Sequence, residues 1–413
     1  MNPPLRFFAP LLGVAAICAC TPAPEASSAS GSIEIADSAG VRIVHSHGPQ
    51  WGDGEAWSVS PEPQQTIGAL DGPEEYQLVA VSSATRQSDG DVVIVDDGAR
   101  TVRLYDREGV FLQTLGGPGS GPGEFQAPGA VLVTKGDTLV VWDQALFRMT
   151  RFDPQGGLAG VQAVDLGMIS KAVEPPLYPG FVEPLADGRI LVGLIEKSGK
   201  AYPSGRFRPQ SGALRVSADY SVIDTLLFFG DVEQLTVDAP FGRWSITPPL
   251  AKRTWITHQG SPSRICIGDQ EGPEIVCIGP DGNRTVLRWD SAPTPPTREE
   301  VAAWREANIR LMEQKLIADD VIQMLDQVPT PAIRPDYSQI TLDRSGNLWV
   351  ELGPVTEGAS VSVDYLVFDS VGALLGAVAL PPIQVLEIGE NYVMGLYRDE
   401  FEVEYLQVYE IRK

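Results

Sequence analysis

Five carboxylates in this sequence stand at the same place in a recurring pattern. Asp96, Asp143, Glu196, Asp269 and Glu351 each close a short apolar, largely β-branched run, as in Asp91-VVIV-Asp96, Thr138-LVVW-Asp143, Arg189-ILVGLI-Glu196, Arg264-ICIG-Asp269 and Asn347-LWV-Glu351. If these positions are equivalent around a ring, their oxygens would converge and hold a hard divalent cation such as Ca²⁺. That would equip the chain for metal-dependent hydrolase or lyase chemistry of the lactonase kind. A local role competes with this one and is the commoner for an acid in such a place: each carboxylate accepts N–H bonds from its own turn. A sixth run, Asn391-YVMGLY-Arg398, ends on a base. The 3 His, at positions 45, 47 and 258, are too few and too scattered for a His-rich zinc centre, and none is read as catalytic. Neither a G-x-S-x-G elbow nor an H-E-x-x-H pair occurs in the chain.

A second set of residues suits recognition rather than catalysis. Arg206 and Arg208 lie in a basic stretch with Lys197 and Lys200, and Phe241, Arg243 and Trp244 lie in another interruption of the pattern. Aromatic and Arg side chains on a rigid platform make binding anchors. A third interruption, 297–327, is the one strongly helical stretch. It opens on the capping box Thr297-Arg-Glu-Glu300 after Pro293, Pro295 and Pro296, and Val301, Trp304, Leu311, Met312 and Leu316 recur at near-helical spacing. Such a face either packs on a rim or lids a pocket.

The elements that must position these residues repeat. The runs start roughly 45 residues apart where no insertion intervenes. Each is preceded by another strand-like segment, and most are followed by a third that ends in Asp-x-x-Gly or Asp-Gly, which supplies the positive φ of tight hairpins. Four antiparallel strands per unit, six units over, describe an all-β, six-bladed β-propeller with one helical insertion. The last unit lacks its outer strand, and Trp57-SVSPEPQQTIG stands where an N-terminal strand would close the ring. Residues 55–413 are thus expected to form the propeller, with 33–54 as a separate hairpin extension. In this arrangement the three insertions share one face.

The stretch from Val95-Asp-Asp-Gly-Ala-Arg-Thr-Val-Arg-Leu-Tyr-Asp-Arg-Glu-Gly109 through Leu115-Gly-Gly-Pro-Gly-Ser-Gly-Pro-Gly-Glu-Phe-Gln-Ala-Pro128 resembles an NHL-type repeat with its glycine-rich connector. The whole chain is similar to NHL-like six-bladed propeller lipoproteins of bacteria, most closely in the first two units. The likeness extends to the lead-in Asp37-Ser-Ala-Gly-Val-Arg-Ile-Val44 and to the Leu396–Arg412 pattern. The resemblance implies the fold; binding platforms, scaffolds, lyases and lactonases all use it. The His-bound zinc of amidating-lyase propellers has no matching His distribution here, and the metal cage of gluconolactonase-type propellers finds no residue-by-residue match.

Composition narrows the partners. The chain has 413 residues, with 31 Lys+Arg against 54 Asp+Glu, a formal charge of −23. This repels phosphate backbones, so no nucleic-acid partner is expected. Residues 1–19 read as a signal peptide, with Arg6 ahead of an apolar stretch, Phe7 to Ile17, that is shorter than the ~20 residues of a membrane span. Ile17-Cys18-Ala19-Cys20 resembles a bacterial lipobox, which would make Cys20 the lipidated first residue of the exported protein. Residues 20–32 read as a flexible Pro/Ala/Ser tether. Thr21, rather than Asp, after the cysteine points to the outer membrane. Beyond Cys20, Cys266 and Cys277 lie on two strand-like runs. A hairpin centred between Glu271 and Gly272 sets them directly opposite each other, and an exported compartment favours a disulfide over two buried thiols. The function expected is that of a lipid-anchored, extracytoplasmic binding or scaffolding propeller whose insertion face takes a protein, peptide or glycan.

Replacing Cys20 by Ser is expected to abolish incorporation of labelled fatty acid and move the protein from the membrane to the soluble fraction of its host. Unchanged labelling would remove Cys20 as the anchor.

Overall fold

Strands covered on one face alternate apolar and polar residues, whereas strands covered on both read as continuous apolar runs. The second strands of the repeat are of the latter kind: Val92–Asp96, Leu139–Asp143 and Leu348–Glu351 are buried at every position. In the computed structural model, which describes residues 31–174, 177–196, 204–239, 242–313, 318–353 and 362–413, each lies inside an antiparallel sheet whose strands pair in chain order. Sheet I comprises Val81–Arg86, Val92–Asp96, Thr101–Tyr105 and Phe111–Gly116. Sheet II comprises Pro128–Val133, Leu139–Asp143, Arg148–Phe152 and Leu158–Ala163. Sheet III comprises Leu177–Pro184, Ile190–Glu196, Gln210–Val216 and Ile223–Gly230. Sheet IV has Trp255–Gln259, Arg264–Gly268, Glu274–Ile278 and Arg284–Trp289, and sheet V has Gln339–Leu342, Leu348–Glu351, Val363–Phe368 and Leu374–Leu380. Sheet VI has Gln384–Ile388, Tyr392–Arg398 and Glu404–Arg412; along the last of these lie Ser58–Val59, opposite Ile411–Arg412, and Gln65–Ile67, opposite Leu406–Val408.

Side-chain alternation sends each strand's two faces to different neighbours. Val93 and Val95 of sheet I pack with Val131, Leu139 and Val141 of sheet II, while Val92 and Ile94 pack with Tyr392, Met394 and Leu406 of sheet VI. Val140 and Trp142 turn the other way, towards Val182, Val192 and Leu194 of sheet III. Leu191 and Ala213 of sheet III meet Ile265 and Ile267 of sheet IV, Cys277 and Leu287 of sheet IV meet Leu348 and Val350 of sheet V, and Trp349 and Val367 of sheet V meet Val393 and Ile411 of sheet VI. The packing therefore runs from each sheet to the next and from the last back to the first, which is β-propeller architecture. Each such buried aliphatic side chain contributes about 1.5–3 kcal/mol of transfer free energy.

The predicted turns are present. Asp106, Asp153 and Asp369 accept backbone N–H bonds across their own turns, and Gly109, Gly156 and Gly372 carry φ of 86°, 85° and 103°.

The N-terminal hairpin lies outside the repeat but not outside the sheets. Ile33–Ser38 pairs with Val41–Ser46, which runs parallel to Arg284–Trp289 and extends sheet IV at its outer edge. The neighbour is parallel and distant in the chain, which is why no local pattern announced it.

Three helices are described. The first, α1 (Leu166–Lys171), was not anticipated; Asp165 caps it by accepting from the N–H groups of Gly167 and Met168. The expected 297–327 helix is two helices, α2 (Arg298–Glu313) and α3 (Ala318–Leu325). The capping box forms: Thr297 N donates to Glu300 Oε2 at 2.7 Å, and Glu300 N donates to Thr297 Oγ1 at 3.1 Å. Trp304 and Met312 face inward as expected. Leu311 does not pack inward, at 63% exposure, and Leu316 lies outside the described residues.

Cys266 lies opposite Cys277, with neighbours in register on both sides, and the pair is bonded. Closing a loop of this length in the unfolded chain (sequence separation 11) corresponds to about 2–3 kcal/mol in the chain-entropy treatment. The double variant Cys266→Ala/Cys277→Ala is expected to lose about that much stability, read as a lower denaturation midpoint that reductant no longer shifts.

Candidate functional site

The five acids at the strand ends do not converge. Asp96, fully buried, accepts from the N–H groups of Val79, Ala80 and Ala99 at 3.0–3.1 Å. Asp143, also fully buried, accepts from Gln126, Ala127, Ala145 and Leu146. Both thereby tie the connector that enters their sheet to the turn that leaves the second strand. Glu196 accepts from Gln210 N at 3.1 Å, and Asp269 from Glu271 N at 3.0 Å. Glu351 is buried and takes the hydroxyls of Ser338 and Tyr365 at 2.8 and 2.5 Å. No three of these carboxylates bring their oxygens within 4.8 Å of one another among the described residues.

The recognition set divides. Arg208 is almost wholly committed to structure: it donates to the carbonyls of Gly230, Asp231 and Asp269, to Thr254 Oγ1 and to Glu271 Oε1 at 2.6 Å. Burial raises the Glu271 carboxyl, but hydrogen bonds from Lys252 and Arg208 outweigh it and hold the group below its ordinary value. Arg206 bridges Glu233 at 3.0 Å and the Pro329 carbonyl at 3.0 Å. Both arginines act as clamps, each guanidinium joining backbone carbonyls to a carboxylate. Arg243 and Trp244 sit on an exposed hairpin, with Arg243 3.5 Å from Asp238. Phe241, Lys197, Lys200 and Cys20 lie outside the described residues.

The insertions meet in one small cap. A three-stranded sheet of Gly205–Phe207, Gln234–Ala239 and Gly242–Ile246 brings together the interruption of sheet III and the segment between sheets III and IV. Leu235, Val237 and Ile246 of that sheet bury Val321, Met324 and Leu325 of α3, with Trp304, Ile309 and Met312 of α2 packed alongside. Arg305 joins the helices through Asp326 at 2.7 Å.

Beneath α2 lies a cleft of about 600 Å³. Ala303, Trp304, Ala307 and Arg310 form its roof at the spacing of one helix face. Leu250 and Arg253 form one wall, and Gln270, Arg334, Tyr337 and Ser338 reach it from the connections beside sheets IV and V. Trp304 Nε1 donates to the Thr247 carbonyl at 3.0 Å, which fixes the ring. Arg334 donates to the Leu352 carbonyl at 2.9 Å and stands 3.4 Å from Glu300, tethering the capped end of α2 to the floor. Gln270 N donates to the Tyr337 hydroxyl at 3.0 Å, and burial pushes that phenol well above its ordinary pKa.

Electrostatically the cleft differs from the rest of the molecule. Arg253, Arg310 and Arg334 line it with one carboxylate, Glu300, in a chain of charge −23. Arg334 is paired with Glu300, whereas Arg253 and Arg310 make no ion pair among the described residues; Arg253 lies over the Trp255 ring at 5.6 Å. Of the cleft residues, sequence reading had reached only Trp304 and Glu300. The 303/304/307/310 spacing was the signal for the roof. Arg253 and Arg334 carry no local signal, since they become neighbours only through the packing of sheets IV and V.

Replacing Glu300 by Ala removes both the reciprocal cap and the tie to Arg334, and is expected to destabilise α2 by about 1–3 kcal/mol. Hydrogen exchange would show faster exchange over 298–313 with sheets I and II unchanged.

No protein-family model matches the chain, and no curated protein matches its sequence. Solved structures similar to it include a member of the DUF4221 family from Bacteroides vulgatus, with 9% identity over 86% of this chain and 99% of that one, at a TM-score of 0.48. A Bacteroides fragilis protein named as exported has 10% identity over 90% and 99% of the two chains, at a TM-score of 0.46. A gluconolactonase from Xanthomonas campestris has 12% identity over 86% and 100%, at a TM-score of 0.40.

Proposed function

We propose that this chain is an exported six-bladed propeller, lipid-anchored through Cys20 at the outer membrane, that works as a binding module for an acidic ligand. The cyclic order in which sheets I–VI pack supports the blade count. The signal-like segment and the buried Cys266–Cys277 bond support export into an oxidising compartment. Among the described residues no helix is long and apolar enough to cross a membrane.

One observation carries the binding role: a cleft roofed by α2 in which, among the described residues, Arg253 and Arg310 make no ion pair beside the fixed Trp304 ring. An aromatic wall flanked by guanidinium groups suits a carboxylate-bearing peptide, protein segment or glycan, with bidentate bonds to the acid and stacking on its apolar body. Of the strand-end acids, Asp96, Asp143 and Glu351 have both oxygens engaged by backbone amides or hydroxyls, which favours a structural role for these three over hydrolysis.

Arrays of acidic oligosaccharides and of peptides with free carboxylates, screened with the intact protein, provide the test. For any ligand captured, Arg310→Ala and Arg253→Ala are each expected to weaken binding by about tenfold or more, while Arg243→Ala/Trp244→Ala on the outer hairpin leaves it unchanged. The opposite pattern would move the site to the hairpin.

A further inference from the structure

We infer that His45, His47 and Asp290 form a binding site for a zinc-class transition-metal ion that fastens the N-terminal hairpin to sheet IV. His45 lies in Val41–Ser46 and His47 just beyond it, two residues on and therefore on the same face. The parallel pairing sets His45 beside Arg288 and Ser46 beside Trp289. Continuing that register brings Asp290 alongside His47, and Asp290 N donates to the Ser46 carbonyl at 3.3 Å.

The donor atoms are already gathered. His45 Nε2 is 2.9 Å from Asp290 Oδ1, His47 Nδ1 is 3.0 Å from Asp290 Oδ2, and one ligand atom from each residue lies within 4.8 Å of the others. Tetrahedral zinc with bonds of about 2.0–2.1 Å separates its donors by about 3.3 Å, so small side-chain shifts admit the ion. The imidazoles lie against each other with centroids 4.2 Å apart, which limits how far either can turn. Glu34, opposite His45 in the hairpin register, places Oε2 3.8 Å from His47 Nε2. With a small shift it is the carboxylate that would orient the ring by accepting the N–H of the nitrogen not used for metal.

Two imidazoles and one carboxylate favour Zn²⁺, Co²⁺ or Ni²⁺ over the all-oxygen preferences of Ca²⁺ and Mg²⁺. The partly exposed setting leaves a fourth position to water. The hairpin follows directly on the predicted tether, so an ion here would clip the anchored end of the chain to the propeller body. This site shares no residue with the cleft under α2.

Calorimetric titration of the untagged full-length chain with ZnCl₂ is expected to show one saturable site per chain of micromolar affinity or better, with CaCl₂ giving no such site. Asp290→Asn and His47→Ala should each weaken zinc binding at least tenfold. Zinc should also slow hydrogen exchange over 33–46 and protect His45 and His47 of the unaltered protein from diethylpyrocarbonate. Absence of saturable zinc binding, affinity unchanged in both variants, or unprotected histidines would each overturn the site, the last without depending on how the variants fold.

Discussion

Burial of both faces of every sheet is the constraint on which this structure depends. A strand such as Val92–Asp96, buried throughout, cannot end a stack: Val92 and Ile94 need one neighbour, Val93 and Val95 another. The same is true of Leu348, Val350 and Trp349 in sheet V. Sheets with this property are stable only when each has a partner on either side, and the first must therefore meet the last. The seam is secured by polar as well as apolar contacts. Glu404 of sheet VI, itself buried, accepts from Val81 N of sheet I at 2.7 Å and from Arg398 at 2.7 Å. Ser60 Oγ accepts from Glu410 N at 3.1 Å, across nearly the whole chain. Such closure carries a loop-entropy cost that grows only slowly with length, so joining the two termini is thermodynamically feasible although slow to find.

Closure also accounts for the fate of the strand-end acids. Where a second strand leaves the sheet, the connector entering that sheet passes beside it with N–H groups that no ladder partner reaches. Asp96 and Asp143 collect those amides. A buried N–H left unpaired costs about 1–3 kcal/mol, so Asp96 and Asp143 have a structural reason to stand there that is independent of any ion. The inner network of Arg344, Glu387 and Thr85 joins sheets V, VI and I in the same manner, with Glu387 also accepting from Tyr392.

With the frame held rigid, variation collects in the connections. The segments interrupting sheet III, joining III to IV and joining IV to V combine into one cap because each alone exposes apolar residues: Leu235, Val237 and Ile246 on the strands, Val321, Met324 and Leu325 on α3. Their mutual burial places α2 over sheets IV and V and creates the cleft. The cap's own arginines, Arg206 and Arg208, satisfy carbonyls of Pro329, Asp231 and Asp269, whereas those left to face the cleft come from α2 and from the connections that enter sheets IV and V.

Repetition made the blades legible in the sequence. Runs closed by Asp or Glu, Asp-x-x-Gly turns and a final unit short of one strand are local patterns, and period-two alternation and turn chemistry are decided by neighbours in the chain. The opposition of Cys266 and Cys277 was equally local, set by one hairpin. The cap was legible only in part: the Thr297/Glu300 box marked where α2 begins, but nothing local marked its division into two helices or the exposure of Leu311. The cleft and the His45/His47/Asp290 cluster belong to tertiary structure alone. Arg253 and Arg334 line one cleft from connections far apart in the chain, and Asp290 reaches His47, 243 residues away, through a parallel strand pairing. Parallel register and sheet-to-sheet packing are set by which apolar faces bury one another, and that information is not held in any single stretch of chain.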